Sequence, residues 1–290
     1  MPGRFLFCFT LFMYQYGVSD SYRAVILMHG ILSSQTSLNN IEQYIKQAHP
    51  GTETLNVNAF NDLDSLQPMW TQVTQISGVM KKFMDAHPQG VHMICYSQGG
   101  LICRGVLESL SSHNVHNFIS LSSPQGGMYG VPNMVKPFVP NISSKYIYRV
   151  FYTPRGQNVS IANYWYDPYH LDLFKQPSLK VFLAQLNNQA PNPQGNAFKN
   201  NFLKIKNLIM IGGPDDGVIT PWQSSHFGSF DEKGKIKEME EQEYFVKDSF
   251  GLKTLANRGA LQKYIIPGVK HTHWPHNQNV FKTYMEKWLD

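Results

Sequence analysis

The 290 residues are 42% apolar, enough to bury a full core in one large domain without help from disulfides or metal. The formal charge of +5 is spread along the chain rather than gathered in basic tracts interleaved with aromatics, which reads as a solvated surface and argues against nucleic-acid or membrane binding. Beyond the N-terminus, no stretch approaches the roughly 18–20 apolar residues that a membrane span requires.

The chain starts with Met1-Pro2-Gly3-Arg4, runs through the apolar stretch from Phe5 to Met13, and reaches Gly17-Val18-Ser19. A basic start, a short apolar run and small residues resemble a secretory signal over residues 1–19, cut near Ser19 or Asp20. The competing reading is a buried N-terminal strand. Arg23 to Met28 is an apolar run ended by His29-Gly30, as expected of a buried parallel strand and its turn. Leu38 to Ala48 has helical spacing and stops before Pro50-Gly51, while Thr54 to Val57 is a weaker strand. Met69 to Met84 is a long amphipathic helix, followed by strands at Val91–Cys95 and Phe118–Leu121 that flank a third helix. After Ser122-Ser123-Pro124 the rhythm breaks. Residues 125–201, rich in Tyr, Trp, Pro and Asn, contain no clear strand, which predicts an inserted cap between two sheet strands. The pattern resumes at Leu208–Gly212, with a last strand at Lys263–Ile266 and a closing helix at Asn277–Leu289. Strands and helices alternating at these lengths predict a mostly parallel sheet with helices on both faces.

The chemistry centres on Cys95-Tyr96-Ser97-Gln98-Gly99, placed between an apolar strand and a helix. A serine on a sharp strand-to-helix turn presents its hydroxyl at the top of the sheet, which is the nucleophile elbow of the α/β-hydrolase fold. Cys95 stands where that pattern usually has glycine. A serine hydroxyl needs a base, and on this fold an acid and then a histidine follow it in chain order. Asp215-Asp216 comes after the strand at Leu208–Gly212, so one of the two is the expected acid. His271 follows the last strand and is the expected base, with His273 and His276 close behind. The backbone N–H groups of Gln98 and of Ile31, in the loop after the first strand, are the expected oxyanion donors. Plainer readings exist: Asp215-Asp216-Gly217 as an ordinary turn, His271 to His276 as a metal cluster, and the aromatics of the insertion as mere core. The histidine cluster lacks further ligands at suitable spacing, so no metal and no cofactor is expected. Asn141-Ile142-Ser143 and Asn158-Val159-Ser160 are glycosylation sequons that agree with a secretory route. In an oxidising compartment Cys95 and Cys103 pair across the elbow, or else remain small buried thiols.

Longer motifs carry a family resemblance. His29-Gly30-Ile31, Cys95-Tyr96-Ser97-Gln98-Gly99-Gly100, Leu121-Ser122-Ser123-Pro124-Gln125-Gly126-Gly127, Asn163 to Pro168, Gly212 to Trp222 and Asp248 to Leu255 resemble the palmitoyl-protein thioesterases, from about Tyr22 to the C-terminus. The resemblance implies Ser97 as nucleophile, Asp216 rather than Asp215 as acid, and His271 as base. It also implies a lysosomal enzyme that hydrolyses long-chain acyl thioesters, carried on coenzyme A or another thiol, through an acyl-serine. An acyl groove would involve the inserted segment, with Met128, Tyr146, Phe151, Trp165 and Phe174 as candidate lining. Members of the family often have further cysteines in the cap and near the C-terminus, and this chain has none there. A lipase or carboxylesterase acting on oxygen esters, or a non-catalytic lipid carrier, are the competing functions.

Overall fold

A computed structural model describes residues 22–130, 136–137 and 143–290. The expected signal segment and Asn141 lie outside these residues. Six parallel strands form the central sheet: β1 (Ala24–Met28), β2 (Thr54–Asn56), β3 (Val91–Tyr96), β4 (Val115–Leu121), β5 (Asn207–Gly212) and, last in the chain, β8 (Leu261–Ile265). Their spatial order is β2-β1-β3-β4-β5-β8, and every neighbouring pair runs parallel. This is the sheet of an α/β-hydrolase, as the sequence predicts.

The strands read as continuous apolar runs because both faces are covered. Along β1, Ala24, Ile26 and Met28 enter one core while Val25 and Leu27 enter the other. The same alternation continues through Met93 and Cys95 against Ile94 and Tyr96, and through Met210 against Ile209 and Ile211. On the first face lie α2 (Met69–Ala86) and α3 (Gln98–Ser109). Met69, Val73, Ile76, Met80 and Met84 form the buried stripe of α2 at helical spacing. On the second face lie α1 (Asn39–Ala48), through Ile41 and Ile45, and the C-terminal segment, through Phe281, Met285 and Leu289.

Residues 122–206 intervene between the adjacent strands β4 and β5. They hold short helices: α4 (Tyr148–Phe151), α5 (Ser160–Asn163), α6 (Leu171–Phe174), α7 (Phe182–Leu186) and α8 (Gly195–Phe202). Pro154, Pro168, Pro177, Pro191 and Pro193 keep them short, since proline neither donates to a helix nor fits its interior. Side chains tie this segment to α2 and α3. Asn163 Oδ1 accepts from the Met69 amide at 2.8 Å, Trp70 Nε1 donates to Gln185 Oε1 at 2.7 Å, and Asn201 Nδ2 donates to the Glu108 carbonyl at 2.9 Å.

Two details depart from the sequence reading. The closing helix is not uniform: an α turn at Gln278–Val280 passes into a π segment at Phe281–Met285 and a 3-10 turn at Glu286–Trp288. A small antiparallel hairpin, β6 (Ser229–Phe230) with β7 (Ile236–Lys237), lies between β5 and β8. Strands of two residues are too short to show a period, and this one is set by its turn, where Asp231 Oδ1 accepts from the amides of Lys233 and Lys235 at 2.9 and 2.8 Å.

Candidate active site

The strand β3 ends at Tyr96, α3 begins at Gln98, and Ser97 makes the whole turn between them. Its backbone sits at φ 55°, ψ −129°, a region that costs a side-chain-bearing residue energy and persists where the surroundings impose it. Those surroundings are close-packed backbone. A β-carbon on Gly99 would collide with the carbonyl oxygens of His29 and Met28, and one on Gly30 would come within 2.8 Å of Ser97 Cβ. Glycine at both positions lets the β1 loop lie against the elbow. Cys95 and Cys103 are bonded, with their α-carbons 6.5 Å apart, so the last residues of β3 are tied to the second turn of α3.

Ser97 Oγ lies 2.9 Å from His271 Nε2, and His271 Nδ1 lies 2.9 Å from Asp216 Oδ2 and 3.1 Å from Oδ1. All three side chains are buried. Asp215, by contrast, is exposed and its Oδ2 accepts from the Gly268 amide at 2.7 Å. His273 and His276 are exposed as well. Burial pushes the Asp216 carboxyl upward, yet the hydrogen bond and charge of His271, the Ser122 hydroxyl and the Ile219 amide outweigh it and hold the group below its ordinary range. The carboxylate is therefore anionic, ready to fix the imidazole with Nδ1 protonated and Nε2 free to accept from Ser97. Tyr96 anchors the other side of His271, its hydroxyl donating to the His271 carbonyl at 2.8 Å.

The Gln98 amide is the first N–H of α3, and Ile31 sits in the β1 loop that lines the cavity at Ser97. Neither amide donates to a protein acceptor among the described residues. Two N–H groups without an acceptor among the described residues, one at a helix N-terminus and beside a serine hydroxyl, have the arrangement that an oxyanion hole would use. Ser65 braces both. Its Oγ accepts from the Leu32 amide at 2.7 Å and its carbonyl accepts from Gln98 Nε2 at 2.8 Å, while Tyr164 donates to Gln98 Oε1 at 3.1 Å.

The cavity in front of Ser97 measures about 210 Å³ and is walled by Ile31, Leu32, Ser33, Tyr96, Thr272 and Pro275 among others. That is below the roughly 300–1,000 Å³ of a typical ligand site. None of the five expected groove residues lines it. Met128 (4% exposed), Phe151 (3%), Trp165 (0%) and Phe174 (0%) are buried in the packing of the inserted segment. Phe151 and Phe174 meet Trp165 and Tyr166 edge to face at 5.2 and 5.1 Å between ring centroids. Tyr146 is 42% exposed and lines a different cavity, of about 470 Å³, with Tyr129, Tyr148, Tyr169 and His170. Large apolar rings in a segment without long helices are consumed by its own core.

A family model for palmitoyl protein thioesterases matches residues 24–271, from the first residue of β1 to His271 itself. The chain belongs to the palmitoyl protein thioesterase family. It is a thioesterase. Lysosomal thioesterase PPT2-B of Xenopus laevis is 47% identical over 93% of this chain and 94% of its own. Lysosomal thioesterase PPT2 of Homo sapiens is 46% identical over 93% of this chain and 88% of its own. The Drosophila melanogaster homolog is 39% identical, covering 94% of both. Among solved structures, a mature lipase of Bacillus licheniformis shares the fold, with a TM-score of 0.52 at 13% identity over 93% of this chain and 94% of that one.

The sequence reading of this thioesterase missed the residues that brace the candidate triad of Ser97, Asp216 and His271. Ser65, Ser122, Tyr164 and Trp274 all bond to site residues from distant points in the chain. Ser65 had no signal at all. Ser122 and Tyr164 fall inside quoted motifs, but a motif says nothing of what a side chain touches.

Proposed function

We propose that this thioesterase cleaves long-chain fatty acyl thioesters, carried on coenzyme A or on another S-acylated thiol, through an acyl-Ser97 intermediate. The observation that carries this reading is the unbroken relay from Ser97 through His271 to Asp216, set beside two unengaged amides. His271 Nε2 takes the Ser97 proton as Oγ attacks the thioester carbonyl. The developing oxyanion is held by the Ile31 and Gln98 amides. Collapse breaks the carbon–sulfur bond, and the departing sulfur takes the proton from His271, leaving as a thiol and returning the imidazole to its neutral form. Water, deprotonated by the same imidazole, then releases the fatty acid and restores the serine. A thiolate is a good leaving group, so this site needs less acid catalysis than amide cleavage does.

Burial of the acyl chain supplies affinity. Each methylene contributes about 0.8 kcal/mol, so a palmitoyl tail offers on the order of 10 kcal/mol before ordering costs. The inserted segment acts in this reading as the cap over the route the tail takes beyond the small cavity. The names of the relatives place them in the lysosome, and we assign this chain to the same compartment, reached by the secretory pathway. The exposed side of Asn158 is open to glycosylation, although Ser160 of the same sequon is fully buried.

Steady-state hydrolysis of palmitoyl-coenzyme A by wild type and Ser97→Ala tests the proposal. The variant should lose roughly 10⁴-fold or more in kcat. Moderate residual turnover would mean that another group attacks. Turnover of matched oxygen esters without turnover of the thioester would leave the fold and remove the substrate assignment.

A further inference from the structure

Asp216 receives more hydrogen bonds than the orientation of one imidazole requires. Its Oδ1 accepts from the amides of Val218 and Ile219 at 3.0 and 2.8 Å, which fix the carboxylate to its own turn. Its Oδ2 accepts from His271, and also from Ser122 Oγ at 2.5 Å and Trp274 Nε1 at 2.8 Å. These two donors come from other parts of the chain. Ser122 directly follows β4, and Trp274 lies three residues beyond His271. Both are buried, at 0% and 1% exposure. Ser122 also adopts φ 43°, a left-handed backbone that a non-glycine residue takes at a cost. Its Oγ stands 3.3 Å from His271 Nδ1, beside the bond between acid and base.

We propose that Ser122 and Trp274 are positioning residues that draw negative charge from Asp216 Oδ2 and so set how far the acid limb of the activity profile extends. The proposal rests on the reading of Ser97, His271 and Asp216 as the catalytic relay. A carboxylate that accepts two further buried hydrogen bonds attracts an imidazolium less than one whose charge is directed at the histidine alone. The base is useful only when neutral, so the two donors extend activity towards lower pH. The other titratable groups around His271 do not supply this effect. On β3, Tyr96 faces the imidazole with ring centroids 5.1 Å apart, and its hydroxyl is occupied with the His271 carbonyl. On the segment of His271 itself, Lys270, His273 and His276 are exposed, as is Asp215 on the acid turn.

The test is the pH profile of kcat/KM for palmitoyl-coenzyme A in wild type, Ser122→Gly and Trp274→Phe. Glycine suits φ 43° and removes the hydroxymethyl group with its donor; phenylalanine keeps an aromatic ring and removes the indole N–H. For each variant the acid limb should move up by about half a pH unit. At optimal pH, kcat should fall about tenfold with KM nearly unchanged. Rescue belongs to Ser122→Thr, which restores a hydroxyl and should return the limb part of the way. Acid limbs that coincide with wild type in both variants, whatever the loss of kcat, would overturn the proposal, as would a shift to lower pH. Thermal unfolding identifies a variant that does not fold, in which case the other carries the test. A Ser97→Ala enzyme that still turned over would instead remove the relay beneath it.

Discussion

Lowering the pH from 7.5 to 4.5 should draw stability out of buried imidazoles, and replacing His226 isolates one of them. His226 is fully buried, with Nε2 against the Tyr264 carbonyl at 3.2 Å. Burial, assisted by the charge of Lys263, pushes its pKa down to about 4 from an ordinary 6.5. Between those values the unfolded chain binds a proton that the folded chain excludes. Stability is therefore complete above about pH 6.5 and falls as the pH drops towards 4. The full difference is worth about 3 kcal/mol, of which about 2.5 kcal/mol is lost by pH 4.5. His92, also fully buried and lowered to about 4 by desolvation, adds to the loss. Glu108 opposes it, because burial raises that carboxyl to about 7 and the folded state then takes up a proton in acid. The slope of the wild type thus mixes opposing groups, and only a difference between proteins is informative. Urea unfolding of wild type and His226→Gln at both pH values gives that difference, and any packing penalty of the glutamine cancels within the variant. The wild type should lose about 2.5 kcal/mol more than the variant between pH 7.5 and 4.5. Losses equal within about 0.5 kcal/mol, a typical error of such comparisons, would refute the reasoning.

Further outcomes follow from the geometry. Asp216→Asn should lower kcat by roughly 10⁴-fold through the wrong histidine tautomer, while Asp215→Asn, altering an exposed turn, should leave it within a few-fold; parallel kinetics on both would reveal a reversed assignment. Gly99→Ala drives a β-carbon into the carbonyls of His29 and Met28, so thermal unfolding should show a loss of about 1–3 kcal/mol or more, together with impaired turnover from a displaced Ser97. Arg104 Nε donates to Glu108 Oε1 at 2.7 Å with both side chains fully buried, and its guanidinium lies 4.0 Å from the Phe250 ring centroid. Arg104→Ala should cost about 3–5 kcal/mol at pH 8, and Arg104→Met with Glu108→Leu far less. Equal costs in urea unfolding would mean that packing, not the ion pair, dominates.

Much of the fold was legible because buried parallel strands must be apolar on both faces and the helices between them on one. Ala24–Met28, Val91–Tyr96 and Asn207–Gly212 stand within a residue or two of where their apolar runs place them. The last helix was placed correctly and misjudged in kind, since the spacing of Phe281, Met285 and Leu289 fixes a buried face without fixing the hydrogen-bond ladder. The aromatics of the inserted segment misled for a related reason. Tyr, Trp and Phe mark burial equally well in a core and in a ligand groove, and here Phe151, Trp165 and Phe174 went to the core.

The same division holds at the site. Ser97, the Asp215-Asp216 pair and His271 are readable because each ends a strand, and the order of strands in the chain dictates the order of the groups. Which aspartate turns inward was settled, apart from family resemblance, by the fold: Asp216 meets His271, Ser122 and Trp274, whereas Asp215 meets the Gly268 amide. Ser65, Ser122 and Trp274 carry no periodic or motif signal for the roles they occupy. Their hydrogen bonds join positions 33 to 94 residues apart. Local sequence determines the strand, the elbow and the turn through short-range sterics and alternating burial; the partners of a buried carboxylate are chosen where distant loops converge above the sheet, and that convergence exists only once the chain has packed.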